Sequence, residues 1–263
     1  MKRDRRAAED AFVAGRYLDF LRAARGDEGN FDQALIKRLI PAVDLESVEF
    51  EAGATPSTLF ELAAVVWDVD ERLAISMFRE AASGGSSAAL AALGEGLSWI
   101  GHHEEAVIWL RKAIAAEAGN PARLAGLLGE SLIGTGEFAD LNEAEHLLKR
   151  GLEDSEEFGV PLAQLLLGQG RADEAREFLR RSVAAEVYGA ALLLGNLLAE
   201  EPGNFDAAES AYTAGIASGD GHSAHNLAVM LLEIGEFARA RELHELATAM
   251  GDPTPLEAPP NQS

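Results

Sequence analysis

Cysteine is absent from the 263 residues, which excludes disulfides, thiolate metal sites and cysteine nucleophiles. Aromatic residues are scarce. With three Trp, three Tyr and 11 Phe, the 48% apolar content falls mostly to Ala and Leu. That is a helical composition rather than that of a sheet sandwich, and it is too apolar for a disordered chain. No run of 18 apolar residues occurs, so no segment is expected to span a membrane. The basic start leads into "AAEDAFVAG" and not into an apolar stretch with a cleavage site. No signal peptide is read there, and the expected compartment is the cytoplasm.

Basic residues are also in short supply, at 22 against 44 acids, for a formal charge of −22. Such a field repels phosphate backbones and anionic lipid, which argues against generic nucleic-acid or membrane-surface binding. The imbalance is uneven: residues 1–25 hold seven bases against four acids, the remainder 15 against 40. This short basic arm is suited to docking on something acidic, its own chain included.

What the chain does contain is a repeat. An alanine followed seven residues later by a small residue occurs at Ala74 and Ala81, Ala106 and Ala113, Ala144 and Gly151, Ala175 and Ser182, Ala208 and Gly215, and Ala240 and Ala247. Ala34 begins a degenerate copy in which Pro41 replaces the second small residue. The first alanines are spaced by 40, 32, 38, 31, 33 and 32 residues, the rhythm of two-helix solenoid units. Gly29, Gly101, Gly170, Gly203 and Gly235 each stand five residues before their alanine. Gly136 stands eight before Ala144, which implies a three-residue insertion at "ADLN", and Val69 replaces the glycine in the Ala74 copy.

In the last copy Ala224, Leu227, Ala228 and Leu231 mark one face of a helix, at i, i+3, i+4 and i+7. Gly235 supplies a left-handed turn, and Phe237, Ala240, Leu243 and Ala247 mark the second helix. Small residues let the two axes approach while Leu and Phe fill the layers between them. "GNFDQA" and "GNFDAA" repeat one turn almost verbatim, with Asn30 and Asn204 as expected helix caps. The pattern predicts an all-α, right-handed superhelical solenoid of antiparallel helix pairs. Residues 1–40 form a helical cap or degenerate repeat, 41–56 an irregular bridge, and 57–250 about six helix pairs. The Pro-rich tail 251–263 is expected to be disordered or draped on the last helix.

These residues resemble the tetratricopeptide and Sel1-like repeat families. The likeness rests on Leu93-Gly94, Gly101, Ala106 and Ala113, on Leu227-Ala228, Gly235, Ala240 and Ala247, and on the junction "AASGGSSAALAALG". It covers about three-quarters of the chain, although the early Trp and mid-helix Tyr of tetratricopeptide units are mostly missing. The resemblance implies a non-catalytic, protein-holding array whose first helices line the concave face. On that register Val66, Trp67, Glu95, Trp99, Glu130, Gln164, Asn196, His225, Val229 and Glu233 are the candidate contacts. Leu59, Ala63, Ala91, Ser98, Gly126 and Ile133 stand beside them. Trp67 and Trp99 read either as partner anchors or as inter-repeat core, and Trp109 as inter-helix packing.

Tetratricopeptide clamps for a terminal carboxylate use Lys, Arg and Asn on these helices. Here Ala91, Glu95, Gly126 and Glu130 stand there instead, and Arg123 with Asn196 does not make a clamp. The expected partner is a basic or amphipathic polypeptide. A sensor for a small ligand and a homotypic assembly module are the alternatives. No metal site is read from His222, His225, Glu233 and His244, nor from His102 and His103, because each set lacks three converging ligands. "GEG" at Gly94 lies inside a helix and is no phosphate loop, and no nucleophilic triad is present. No cofactor and no enzymatic activity are expected.

Overall fold

A computed structural model describes residues 5–13, 17–24, 55–136 and 141–256. The secondary structure there is helical. Helices α1 (Arg5–Val13) and α2 (Tyr17–Ala24) pack on each other, burying Ala8, Ala11, Phe20 and Ala24. The expected features at Asn30, Ala34, Pro41 and the 41–54 part of the bridge lie outside the described residues, as do "EFAD" at 137–140 and the tail from 257.

The chain divides into two compact units, at residues 1–136 and 137–263. In the first, α3 (Pro56–Val66) pairs with α4 (Glu71–Ser83) and α5 (Ser87–Trp99) with α6 (His103–Ala115). Helix α7 (Pro121–Gly134) then packs on α5 and α6. In the second, α8 (Leu141–Gly151) and a 3-10 turn at Glu156–Phe158 precede three pairs. These are α9 (Gly159–Gly168) with α10 (Ala172–Ala184), α11 (Ala190–Ala199) with α12 (Phe205–Ala217), and α13 (Gly221–Glu233) with α14 (Phe237–Ala249). The fold class is the expected one, all-α and built of stacked antiparallel helix pairs as in a solenoid.

Helix starts follow from local chemistry. Thr55, Asp70, Ser86, Asn120 and Asp220 each accept a backbone N–H of the helix they precede, and Pro56 and Pro121 sit at first-turn positions that need no donor. Asn204 differs from expectation. It occupies the cap position, but its amide donates to Glu201 and leaves the helix N–H groups alone. Gly235 adopts φ +85 as the turn requires. The Val69 turn needs no such residue, because Val69 N and Asp70 N both donate to Val66 O at 2.9 Å.

The repeat landmarks are the core. Ala74, Ala81, Ala106, Ala113, Ala144, Ala175, Ala208, Ala240 and Ala247 are buried, and so are the leucines four residues after Ala106, Ala144 and Ala175, at Leu110, Leu148 and Leu179. Two positions depart from the expected pattern. Phe237 is 44% exposed and sits at the edge of α14, outside its packed face. In the tail, Asp252 is buried: it accepts Thr254 N at 3.0 Å and contacts His222 Nδ1 at 2.8 Å, seating residues 252–254 against α13.

Candidate functional site

The candidate contacts divide between the two units. In the first, the tight turn after α3 projects Trp67, the last helical residue's neighbour, over α5. Gly96 makes this possible: a Cβ there would lie 2.6 Å from Trp67 Cζ3, so only a glycine lets the indole rest on the α5 backbone. Phe78 backs the ring, with centroids 6.3 Å apart and planes tilted by 43°, and Phe60 stands 5.8 Å beyond Phe78. One turn after Gly96, Trp99 is 72% exposed. Ala64, Trp67, Phe78, Ala92, Glu95, Gly96 and Trp99 enclose a recess of about 280 Å³.

The polar edge of this recess is ordered. Arg123 Nε and Nη2 both donate to Glu95 Oε1, at 3.0 and 2.5 Å, tying α7 to α5. A second depression of about 620 Å³ shares both indoles and is lined by Trp67, Asp68, Val69, Asp70, Glu71, Arg72 and Trp99. Val66 does not reach either space. It is fully buried within α3 and belongs to the core, as do Leu59 and Ala63. Ser98 is buried as well and accepts a hydrogen bond from Ser131 Oγ at 3.0 Å, which fastens α5 to α7. Glu130 is exposed on α7.

In the second unit Gln164, Val229 and Glu233 are exposed. Asn196 has an internal role: its Oδ1 accepts from Tyr212 Oη at 2.9 Å and from Asn226 Nδ2 at 2.7 Å, joining α11, α12 and α13. His225 packs edge-on against His244, with centroids 6.3 Å apart. Among the described residues no group of three or more His, Asp or Glu is placed to hold a metal ion.

Charge is sorted by helix. From residue 55 onward, Arg123 is the sole Lys or Arg among the described first helices α3, α5, α7, α9, α11 and α13. The other bases lie on second helices and turns, where many bridge neighbouring pairs. Arg79 donates to Glu105 at 2.8 Å, and Arg171 to Glu145 at 2.6 Å. Arg176 pairs with Glu201, and Arg239 with Glu209. The Arg171 and Lys149 hydrogen bonds hold the Glu145 carboxyl down to about 2. Trp109 is half-buried; its indole N–H donates to Glu105 at 3.1 Å, and Lys112 lies over its ring at 3.9 Å.

Phe78, Ala64 and Ala92 are site residues that the sequence reading missed. The signal that would have found them is Gly96, a second glycine in a helix that already has its close-approach glycine at Gly94.

Comparison with known proteins bears on the same architecture. The tetratricopeptide repeat signature matches residues 221–250, the α13–α14 pair. No curated protein sequence matches the chain. Among solved structures it is similar to PilF of Pseudomonas aeruginosa, at 19% identity and a TM-score of 0.61, over 76% of this chain and 93% of that one. It is also similar to the Cut9-Hcn1 hetero-tetramer of APC/C, at 15% identity and a TM-score of 0.62, over 94% of this chain and 52% of that one. The fold is that of the TPR-like helical repeats. A looser likeness is to YrrB, described as a TPR protein with an unusual peptide-binding site, at 19% identity, a TM-score of 0.48, and 67% and 93% coverage. At such identities the TPR likeness is one of fold, and among the described residues no helix is long and apolar enough to cross a membrane.

Proposed function

We propose that this chain is a non-catalytic scaffold that holds a basic or amphipathic polypeptide against the first helices of its repeats, with no cofactor. The observation that carries this reading is Trp99, a large indole 72% exposed at the mouth of an apolar recess whose other wall is Trp67. An isolated exposed side chain needs no explanation, but an exposed indole flanking a concave apolar space is the arrangement of an interface anchor. The near absence of Lys and Arg from the first helices supports a partner of opposite charge. Glu95, Glu130, Gln164, Asn196, His225, Val229 and Glu233 are the further contacts in this reading.

A panel of labelled peptides that are basic amphipathic, neutral amphipathic or acidic tests it by fluorescence anisotropy. Basic amphipathic peptides are expected to bind best, and Trp99→Ala to weaken them about tenfold or more, as for an interface anchor. Preference for the acidic set, or indifference to Trp99→Ala, would remove the reading.

A second reading, homotypic assembly, has one observation in its favour. Ile234, Phe237 and Leu246 on the α13–α14 pair are 54%, 44% and 40% exposed. Sedimentation across a wide concentration range distinguishes it, since self-association raises the apparent mass with concentration.

A further inference from the structure

The two depressions share their indole wall, and their remaining linings differ in kind. In one, Trp67 and Trp99 meet Ala64, Phe78, Ala92 and Gly96 beside the arginine-paired Glu95; in the other they meet Asp68, Asp70 and Glu71 with a single base, Arg72. Asp68 and Glu71 are exposed and enter no ion pair among the described residues. The carboxylates at Glu95, Glu105, Glu145, Glu201 and Glu209, by contrast, are each engaged by an arginine. Asp70 is held in place by capping α4 through Leu73 N at 3.0 Å. Uncompensated negative charge therefore gathers at the edge of the two indoles that already form the proposed anchor.

We infer that this place is a two-compartment site for one basic amphipathic segment, taking an aliphatic side chain in the Ala64–Phe78–Ala92 recess and an Arg or Lys across the indoles toward Asp68 and Glu71. The inference rests on the scaffold reading and names the chemistry of its partner at this point. Charge complementarity selects the occupant. An indole face attracts a cation through its quadrupole, the aliphatic stem of Arg or Lys covers ring surface, and the carboxylates neutralise the head group. An acidic segment would meet three carboxylates and one guanidinium. A purely apolar one would leave the Asp68–Glu71 side unused.

The probe is a short capped peptide with one leucine and one arginine a helical turn apart in an otherwise neutral sequence, together with a control bearing citrulline for arginine. The citrulline peptide is expected to bind about fivefold more weakly than the arginine peptide. In the full-length double variant Asp68→Asn, Glu71→Gln the two peptides should bind alike, and raising salt should shrink the difference in the wild type. Equal loss of both peptides in Trp99→Ala, with an arginine preference that survives the double variant, would overturn the cation assignment while leaving polypeptide binding intact. Indifference of both peptides to Trp99→Ala would overturn both readings. Tighter arginine-peptide binding when Lys2 and Arg3 are neutralised would assign the site to the chain's own basic arm and overturn the partner assignment.

Discussion

Tyr212 on α12 lies against Gly195 on α11, where a Cβ would stand 2.5 Å from both Cδ1 and Cε1 of the ring. The tyrosine is buried, its hydroxyl donates to Asn196 Oδ1 at 2.9 Å, and burial pushes that hydroxyl's pKa up to about 12. Gly195→Ala forces the ring or the helix axis to move and is expected to cost about 1–3 kcal/mol. Tyr212→Phe retains the packing and loses one hydrogen bond, for about 1 kcal/mol. Urea unfolding of the two variants checks the order; a larger loss for Tyr212→Phe would mean that the hydroxyl, not the close approach, holds this pair together.

The same close approach explains what the sequence made legible. Gly94 faces Leu110 at 2.8 Å from a notional Cβ, so the Leu-Gly pair and the alanine twelve residues later at Ala106 mark a steric requirement visible in spacing alone. Turns, pairs and core leucines followed from it. The site did not, because register places Val66 and Trp67 side by side on the groove. The hydrogen bonds that close the Val69 turn instead bury Val66 and swing Trp67 over Gly96. Which of two neighbouring residues faces outward is decided by a turn without glycine, and no periodicity reports it. The internal hydrogen bonds of Asn196 were not legible for a related reason, since its partners Tyr212 and Asn226 come from two other helices.

Ser98 and Ser131 form a buried pair at 3.0 Å between α5 and α7. Removing one hydroxyl leaves the other without its partner in an apolar contact, so either single alanine variant is expected to lose about 1–3 kcal/mol. The double variant Ser98→Ala, Ser131→Ala removes both groups together and should recover much of that loss. A double-mutant cycle in thermal or urea unfolding measures the recovery. Simple additivity would show that the hydroxyls act independently.

Glu145 gives the pH dependence a location. Its carboxyl stands at about 2 in the folded chain against an ordinary 4.5, held by Arg171 and Lys149. A depressed carboxylate contributes stability that is fully present above its unfolded value and is lost as pH falls toward the folded one. The contribution therefore disappears between about 4.5 and about 2. Glu145→Gln should lower the thermal midpoint near neutrality, and the wild-type and variant midpoints should converge across this window. A gap that stays constant down to the lower limit would assign the effect to packing.

The two indoles of the recess are predicted to differ in what they do for the chain itself. Trp67 is half-buried on Gly96 and beside Phe78, so Trp67→Ala opens a void between α3, α4 and α5 and is expected to cost about 3 kcal/mol or more. Trp99 is 72% exposed and makes little of its contact with the core, so Trp99→Ala is expected to change stability by no more than about 0.5 kcal/mol. Equilibrium unfolding of both variants tests the contrast. A comparable loss at Trp99 would mean that its ring braces the first unit, and reduced peptide binding by that variant would then report misfolding instead of a missing anchor. Stability retained at Trp99 with binding lost separates recognition from folding at a single side chain.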